Sequence, residues 1–191
     1  MKISVLGYSG SGKSTLAKDL GKLYDLPILH LDNAHFLPNW EERTREDMNV
    51  IVQRFLDDNP AWVVDGTYSH NCFERRMEES DWIVFLDFDR VACFFRAWKR
   101  YRVNKGRTRA DMAEGCIERF NGEFIGWLLW KGRTRKRRQI FQKVVGRYAF
   151  KTVILKNQRQ LSAFLERLRR GDGMQAKSGE RLEVQSLGCK R

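Results

Sequence analysis

Apolar residues along this chain fall into two patterns. Short, mainly apolar runs, Lys2 to Leu6, Pro27 to Leu31, Ala61 to Val64, Trp82 to Leu86 and Thr152 to Leu155, have the length of strands. The first stops at Gly7, and the next three stop at Asp32, Asp65 and Asp87. A run that is apolar throughout, rather than alternating, predicts a strand buried on both faces. Between the runs the spacing changes to that of helices. Ser14 to Tyr24 places Leu16, Ala17, Leu20 and Leu23 on one face, and Arg45 to Asp58 does the same with Met48, Ile51, Val52, Phe55 and Leu56. Thr44, three residues before Asp47, predicts the cap of the second helix. A last helix, Gln158 to Arg169, turns Leu161, Phe164, Leu165 and Leu168 inward. Strands alternating with helices predict an α/β domain over residues 1–170, a doubly wound five-stranded parallel sheet. Residues 171–191 are polar and without periodicity, and read as a loose tail.

The first strand runs into Gly7-Tyr8-Ser9-Gly10-Ser11-Gly12-Lys13-Ser14, which fits G-x-x-x-x-G-K-[ST] at every fixed position. Phosphate oxygens need several N–H donors converging on one point, so the backbone must curl and approach closely. Glycines allow this, and the helix that follows aims its N-terminal dipole at the same anion. Gly7, Ser9, Gly10, Ser11, Gly12, Lys13, Ser14 and Thr15 are the candidate ATP-binding residues. Lys13 is placed to reach the β- and γ-phosphates, and the Ser14 hydroxyl to ligate Mg²⁺ with Asp32 or Asp65 acting through water. In open parallel sheets ligands bind beyond the carboxyl ends of the strands, which is where Asp32, Asp65 and Asp87 fall. The bland alternative is that these acids cap helices and form turns.

Composition narrows the class. The chain has 191 residues, 42% hydrophobic, and a net charge of +12. That is ample for one cored domain, and no apolar stretch approaches the ~18 residues of a membrane span. The apolar start is too short for a signal peptide. Cys72, Cys93, Cys116 and Cys189 are far apart, which predicts neither a disulfide framework nor a zinc knuckle and points to a reducing cytoplasm. The charge is concentrated: Arg90 to Arg147 holds 17 Lys+Arg and 4 Asp+Glu, and the remainder 19 and 20. Something anionic is expected to meet that segment.

The order of segments, with Asp65-Gly66 ending the third strand, resembles the adenylate kinase branch of P-loop kinases, and three stretches resemble more closely, within that branch, the bacterial proteins labelled DNA topology modulation protein. The stretches are Trp62-Val63-Val64-Asp65-Gly66-Thr67-Tyr68, Phe85-Leu86-Asp87-Phe88-Asp89-Arg90, and Arg109-Ala110-Asp111-Met112-Ala113-Glu114-Gly115-Cys116. The resemblance implies a nucleoside-monophosphate-kinase type of sheet with an inserted helical lid at about residues 90–147, whose Arg96 and Arg100 clamp the transferring phosphoryl group with Arg107, Arg109 and the Arg133 to Arg138 cluster. Adenylate kinases place an Arg four residues after the Asp of the third strand. Here Ser69 stands there, leaving Arg75 or Arg76 as substitutes. In small-molecule kinases of the shikimate and gluconate type an Asp after the second strand serves the acceptor hydroxyl, the position of Asp32. His30 and His35 flank it, the structural role being the commoner one for such histidines.

The expected activity is therefore transfer of the ATP γ-phosphoryl group to a nucleotide or other small acceptor, with Lys13, Asp32, Asp65, Arg96 and Arg100 as catalytic residues and ATP and Mg²⁺ as cofactors. The alternative is a nucleic-acid-binding regulator using ATP as a conformational ligand, because the basic residues of segment 90–147 interleave with aromatics. A GTP-dependent switch is weaker, since no Asn-Lys-x-Asp motif is present. Phe120, Phe124, Trp127 and Trp130 recur at i, i+4, i+7 and i+10, which predicts a buried stripe rather than a stacking surface.

Overall fold

A computed structural model describes residues 1–108 and 111–171. Arg109, Ala110 and the tail from 172 onward lie outside the described residues. The five apolar runs form five strands, β1 (Lys2–Gly7), β2 (Ile28–His30), β3 (Trp62–Asp65), β4 (Trp82–Leu86) and β5 (Thr152–Leu155). They make one sheet in the order β2-β3-β1-β4-β5, with every neighbouring pair parallel. The central strands β3 and β4 are buried at every position.

Side chains alternate across the sheet, and each face has its own helices. Val63 packs with Leu16, Ala17 and Leu20 of α1 (Lys13–Tyr24) and with Met77 of α4 (Phe73–Glu79). Its neighbours Trp62 and Val64 enter a second cluster with Met48, Val52 and Leu56 of α3 (Arg45–Asp58) and with Leu31 and Ala34 of α2 (Leu31–His35). Thr44 caps α3, its hydroxyl accepting from the Asp47 N–H at 3.1 Å, as the spacing predicts. The basic segment forms α5 (Arg90–Asn104), α6 (Gly122–Leu129) and α7 (Arg135–Arg147), capped by Asp89, Asn121 and Thr134. The last helix is α8 (Gln158–Arg169).

Three expectations change. The second strand ends at His30 and α2 starts at Leu31, so Asp32 stands in the first turn of a helix rather than just beyond a strand. Leu31 is apolar because it is buried, which suits either element. Leu23, expected on the inner face of α1, is exposed, because the buried face runs through Ala17, Leu20, Gly21 and Tyr24 and leaves Leu23 at its edge. The aromatic stripe is core only in its first half. Phe120 packs on Phe94 and Tyr101, and Phe124 on Phe120, both half-buried against the main core, whereas Trp127 and Trp130 are 37% and 61% exposed. Trp127 is covered only in part, by the Arg137 guanidinium of α7, and Trp130 stays open among the described residues.

Candidate active site

The turn between β1 and α1 is held from several sides. The Ser11 N–H donates to the Tyr8 carbonyl at 3.2 Å, and Thr67 Oγ1 bonds both the N–H and the carbonyl of Gly7, at 3.3 and 3.1 Å. Gly10 and Gly12 have φ of 77° and 96°, the left-handed region that suits glycine. A Cβ on Gly10 would stand 2.5 Å from the Cys93 carbonyl oxygen, and one on Gly12 would strike Arg96 Nη2. Gly12 caps α1 without a side chain, so the N–H groups of the first turn face the loop uncapped. Ser11 Oγ is buried with no partner among the described residues. Lys13 Nζ folds back onto the Tyr8 carbonyl at 3.1 Å. A ring of donors around a concavity, with room only for backbone, is a cradle for phosphate.

The loop opens into a cleft of about 1920 Å³, walled by α2, the β3–α4 loop, α5, α6 and α7. That exceeds the ~300–1,000 Å³ of a single small-ligand pocket and leaves space for two molecules. Among the described residues eleven Lys or Arg line it against five Asp or Glu. The positive excess of the segment thus reaches the cleft.

The three strand-end acids separate in the fold. Asp32 lines the cleft, and Tyr68 Oη donates to its Oδ1 at 2.8 Å. Burial, followed by the neighbouring Asp32, pushes the Tyr68 hydroxyl far above its ordinary range, so it stays a donor. Asp65 is buried and faces His30, with Oδ1 2.5 Å from Nδ1. The two are register partners on β2 and β3, so the pair is a product of strand order. Asp87 does not line the cleft and bonds the sheet through its N–H to the Leu155 carbonyl at 2.9 Å.

The arginines separate too. Arg96 lies beside the phosphate loop, its guanidinium 5.0 Å from the Phe88 ring centre and bonded to Gln158 Oε1, and burial lowers its pKa. Arg100, one turn on, bonds the buried Glu118 at 2.8 Å through Nε and Nη2. Of the Arg133 to Arg138 cluster, Arg133 is buried, bonding the Phe88 carbonyl at 2.8 Å over the Tyr8 ring at 3.9 Å. It is a structural cation, not a clamp. Lys136 and Arg137 line the cleft, and Arg137 lies 4.6 Å from the centre of the Trp127 ring. Trp127 in turn donates from Nε1 to Ser9 Oγ at 3.2 Å, tying α6 to the phosphate loop. Arg107 is exposed and outside the cleft lining.

Arg75 and Arg76, the substitutes for the missing acceptor arginine, are occupied elsewhere. Arg75 pairs with Asp57 and Glu79 at the surface, at 2.7 and 2.6 Å. Arg76 is fully buried and neither lines the cleft. Sequence reasoning also passed over Tyr68 as a group acting on Asp32, although it stands three residues after Asp65 within a stretch already singled out.

Ser14 and Asp32 both line the cleft, and the described residues hold no cluster of three or more His, Cys, Asp or Glu for a metal ion. One hydroxyl and one carboxylate beside a phosphate cradle suit Mg²⁺, which keeps waters and phosphate oxygens in its shell.

No family model matches the chain, and no curated protein matches its sequence. Solved structures do match. Shikimate kinase from Acinetobacter baumannii, in complex with shikimate, superposes with a TM-score of 0.52 at 16% identity, covering 91% of this chain and 95% of that one. The chain has the P-loop kinase fold. A gluconokinase from Sinorhizobium meliloti 1021 is similar at a TM-score of 0.50 and 16% identity, covering 89% and 94%. Deoxyadenosine kinase from M. mycoides with bound dATP gives 0.48 at 16%, covering 88% and 99%. At such identity the P-loop kinase likeness is one of architecture, and the likeness to topology modulation proteins rests on the three sequence stretches alone. Among the described residues no helix is long and apolar enough to cross a membrane.

Proposed function

We propose that the protein is an ATP-dependent phosphotransferase that moves the γ-phosphoryl group of ATP to a hydroxyl or phosphate oxygen of a small acceptor. The carrying observation is the juxtaposition of a glycine phosphate cradle and Asp32 across a cationic cleft with space for two molecules. Gly7 to Thr15 bind the phosphates through backbone N–H groups, and Lys13 leaves the Tyr8 carbonyl to reach the β- and γ-phosphates. Ser14, with Asp32 acting through water, would hold Mg²⁺, which would supply positive charge to the phosphate oxygens. Asp32 orients a hydroxyl acceptor and takes its proton. The acceptor oxygen then forms a bond to the γ-phosphorus, the bond to the β–γ bridging oxygen breaks, and ADP leaves with that electron pair. Arg96 stabilises charge on the phosphates from beside Gly12. Arg100 serves from its pair with Glu118, and Arg137 from its place over Trp127 in the cleft wall. Asp65 supports the site through His30 rather than touching substrate.

The test is an ATP-consumption screen across nucleoside monophosphates, sugars and small hydroxy acids, with Lys13→Ala as control. Turnover with one acceptor class, abolished by Lys13→Ala, is expected. Unchanged ATP and ADP binding by Lys13→Ala in a calorimetric titration would sink the site assignment.

A second reading is favoured by one observation: Phe95, Trp98 and Trp130 are exposed beside basic residues, with Arg102 5.1 Å from the Trp98 ring centre. A nucleic acid could stack there. A mobility shift that weakens steeply with salt, and weakens further in Arg135→Ala with Arg138→Ala, supports that reading; absence of any shift at low salt removes it.

A further inference from the structure

The buried Arg76 is a costly feature without a role in the chemistry just described. It sits on α4 with no exposed surface, 5.4 Å from the Phe73 ring centre. Its own carbonyl is fixed by the Ser80 N–H and hydroxyl, at 3.1 and 2.6 Å, and that hydroxyl lies 2.8 Å from Ser4 Oγ on β1. The seat of the side chain is therefore rigid. A guanidinium taken out of water loses solvation worth several kcal/mol, on the order of what makes buried charges rare. Burial lowers its pKa to about 10, which leaves it charged at neutral pH.

What that charge holds is a loop. Nε donates to the Asn71 carbonyl at 3.2 Å, Nη1 to the Gly66 carbonyl at 3.4 Å and Nη2 to the Tyr68 carbonyl at 2.8 Å. These carbonyls belong to residues 66–71, the β3–α4 loop, which has no strand or helix of its own to satisfy them. The same loop reaches the site at two points. Thr67 bonds Gly7 of the phosphate cradle directly, beside Gly66 whose N–H is held by the Val5 carbonyl of β1, and Tyr68 extends its hydroxyl 2.8 Å from Asp32 Oδ1. The Tyr68 ring lies 4.9 Å from His35, on the same helix as Asp32. Only the planar fork of Arg reaches three carbonyls that diverge from one centre. Lysine, a point charge on a flexible stem, does not.

We propose that Arg76 is a positioning residue: its guanidinium fixes the β3–α4 loop so that the Tyr68 hydroxyl clamps Asp32 in the orientation the acceptor meets. Tyr68 engages one oxygen of the carboxylate, which restricts its rotation in the cleft. The inference rests on the reading of Asp32 as the group that takes the acceptor's proton.

The test compares Tyr68→Phe, Arg76→Lys and the double variant. Each single variant is expected to lower kcat about tenfold with the KM for ATP within about twofold, since Thr67 and the phosphate cradle keep their contacts. The double variant is expected to fall about tenfold as well, not a hundredfold, because both changes break one chain of contacts. Losses that multiply, or an Arg76→Lys protein that melts earlier but keeps kcat, overturn the proposal in favour of a purely structural arginine. A second measurement needs no turnover: the Cζ resonance of carbon-13-labelled Tyr68, identified by its absence in Tyr68→Phe. Arg76→Lys is expected to move it toward the value of a solvated tyrosine, and an unmoved resonance overturns the proposal. Failure of the acceptor screen with this shift present would fault the kinase reading and leave the Arg76–Tyr68 linkage standing.

Discussion

At the scale of single residues, the phosphate loop is bound by space as much as by chemistry. Gly10 combines a φ of 77° with a would-be Cβ 2.5 Å from the Cys93 carbonyl, so Gly10→Ala meets both a conformational and a steric penalty. The first is about 1–2 kcal/mol, and the second adds a similar amount because a backbone carbonyl has little room to move. Gly10→Ala is expected to lower the melting temperature by several degrees and to weaken ATP binding, read by calorimetry and thermal unfolding. Gly126, on α6 with nothing within 4 Å of its would-be Cβ, supplies the contrast, and Gly126→Ala is expected to be neutral or stabilising by up to about 1 kcal/mol. The loop was fully legible in the sequence because its chemistry is local. The partners of Asp32 and Asp65 were not. His30 meets Asp65 only because β2 lies beside β3 in a particular register, and Tyr68 meets Asp32 only because a loop is pinned from behind by Arg76. A buried arginine looks like a surface one until its surroundings are known.

At the scale of elements, the strands were readable because they are mainly apolar and short, and α1, α3 and α8 because one face is apolar. Periodicity shows which residues share a face and not what covers it, hence the exposed Trp127 and Trp130. It also places Arg96 and Arg100 on one face of α5 without showing that Arg96 turns to the phosphate loop and Arg100 to Glu118. The joint between β1 and α4 carries a pH-dependent prediction. Burial alone would raise the pKa of Glu79, but hydrogen bonds from Lys2 at 2.7 Å and Arg75 at 2.6 Å outweigh it and hold the value below the ordinary glutamate range. A carboxylate depressed in the folded state contributes its stability above its unfolded pKa of about 4.3 and loses it as pH falls through the folded value. Glu79→Gln is expected to cost about 0.5–1 kcal/mol at pH 7. The difference from wild type should shrink as urea unfolding is repeated from pH 5 down to pH 3, and a difference independent of pH counts against the assignment.

At the scale of the whole molecule, the concentration of charge in Arg90 to Arg147 gains a direction from the fold. Part of it faces the cleft, as Arg96, Lys99, Arg100, Lys136 and Arg137 do. Part is spent on structure, as Arg133 is, and part faces outward, as Arg102 and Lys143 do. If the segment serves phosphates in the cleft, function depends on where a charge sits and not on how many remain. Two double variants with equal charge loss separate these cases. Lys136→Ala with Arg137→Ala is expected to reduce kcat/KM by on the order of 100-fold, as removal of cations facing a transferring phosphoryl group does. Arg102→Ala with Lys143→Ala is expected to leave kcat/KM within about twofold, because charges in bulk solvent are screened beyond a Debye length of roughly 8–10 Å. Equal losses from the two pairs would mean that the segment acts through its total charge, the behaviour of a surface that collects a polyanion rather than of a wall that closes on one.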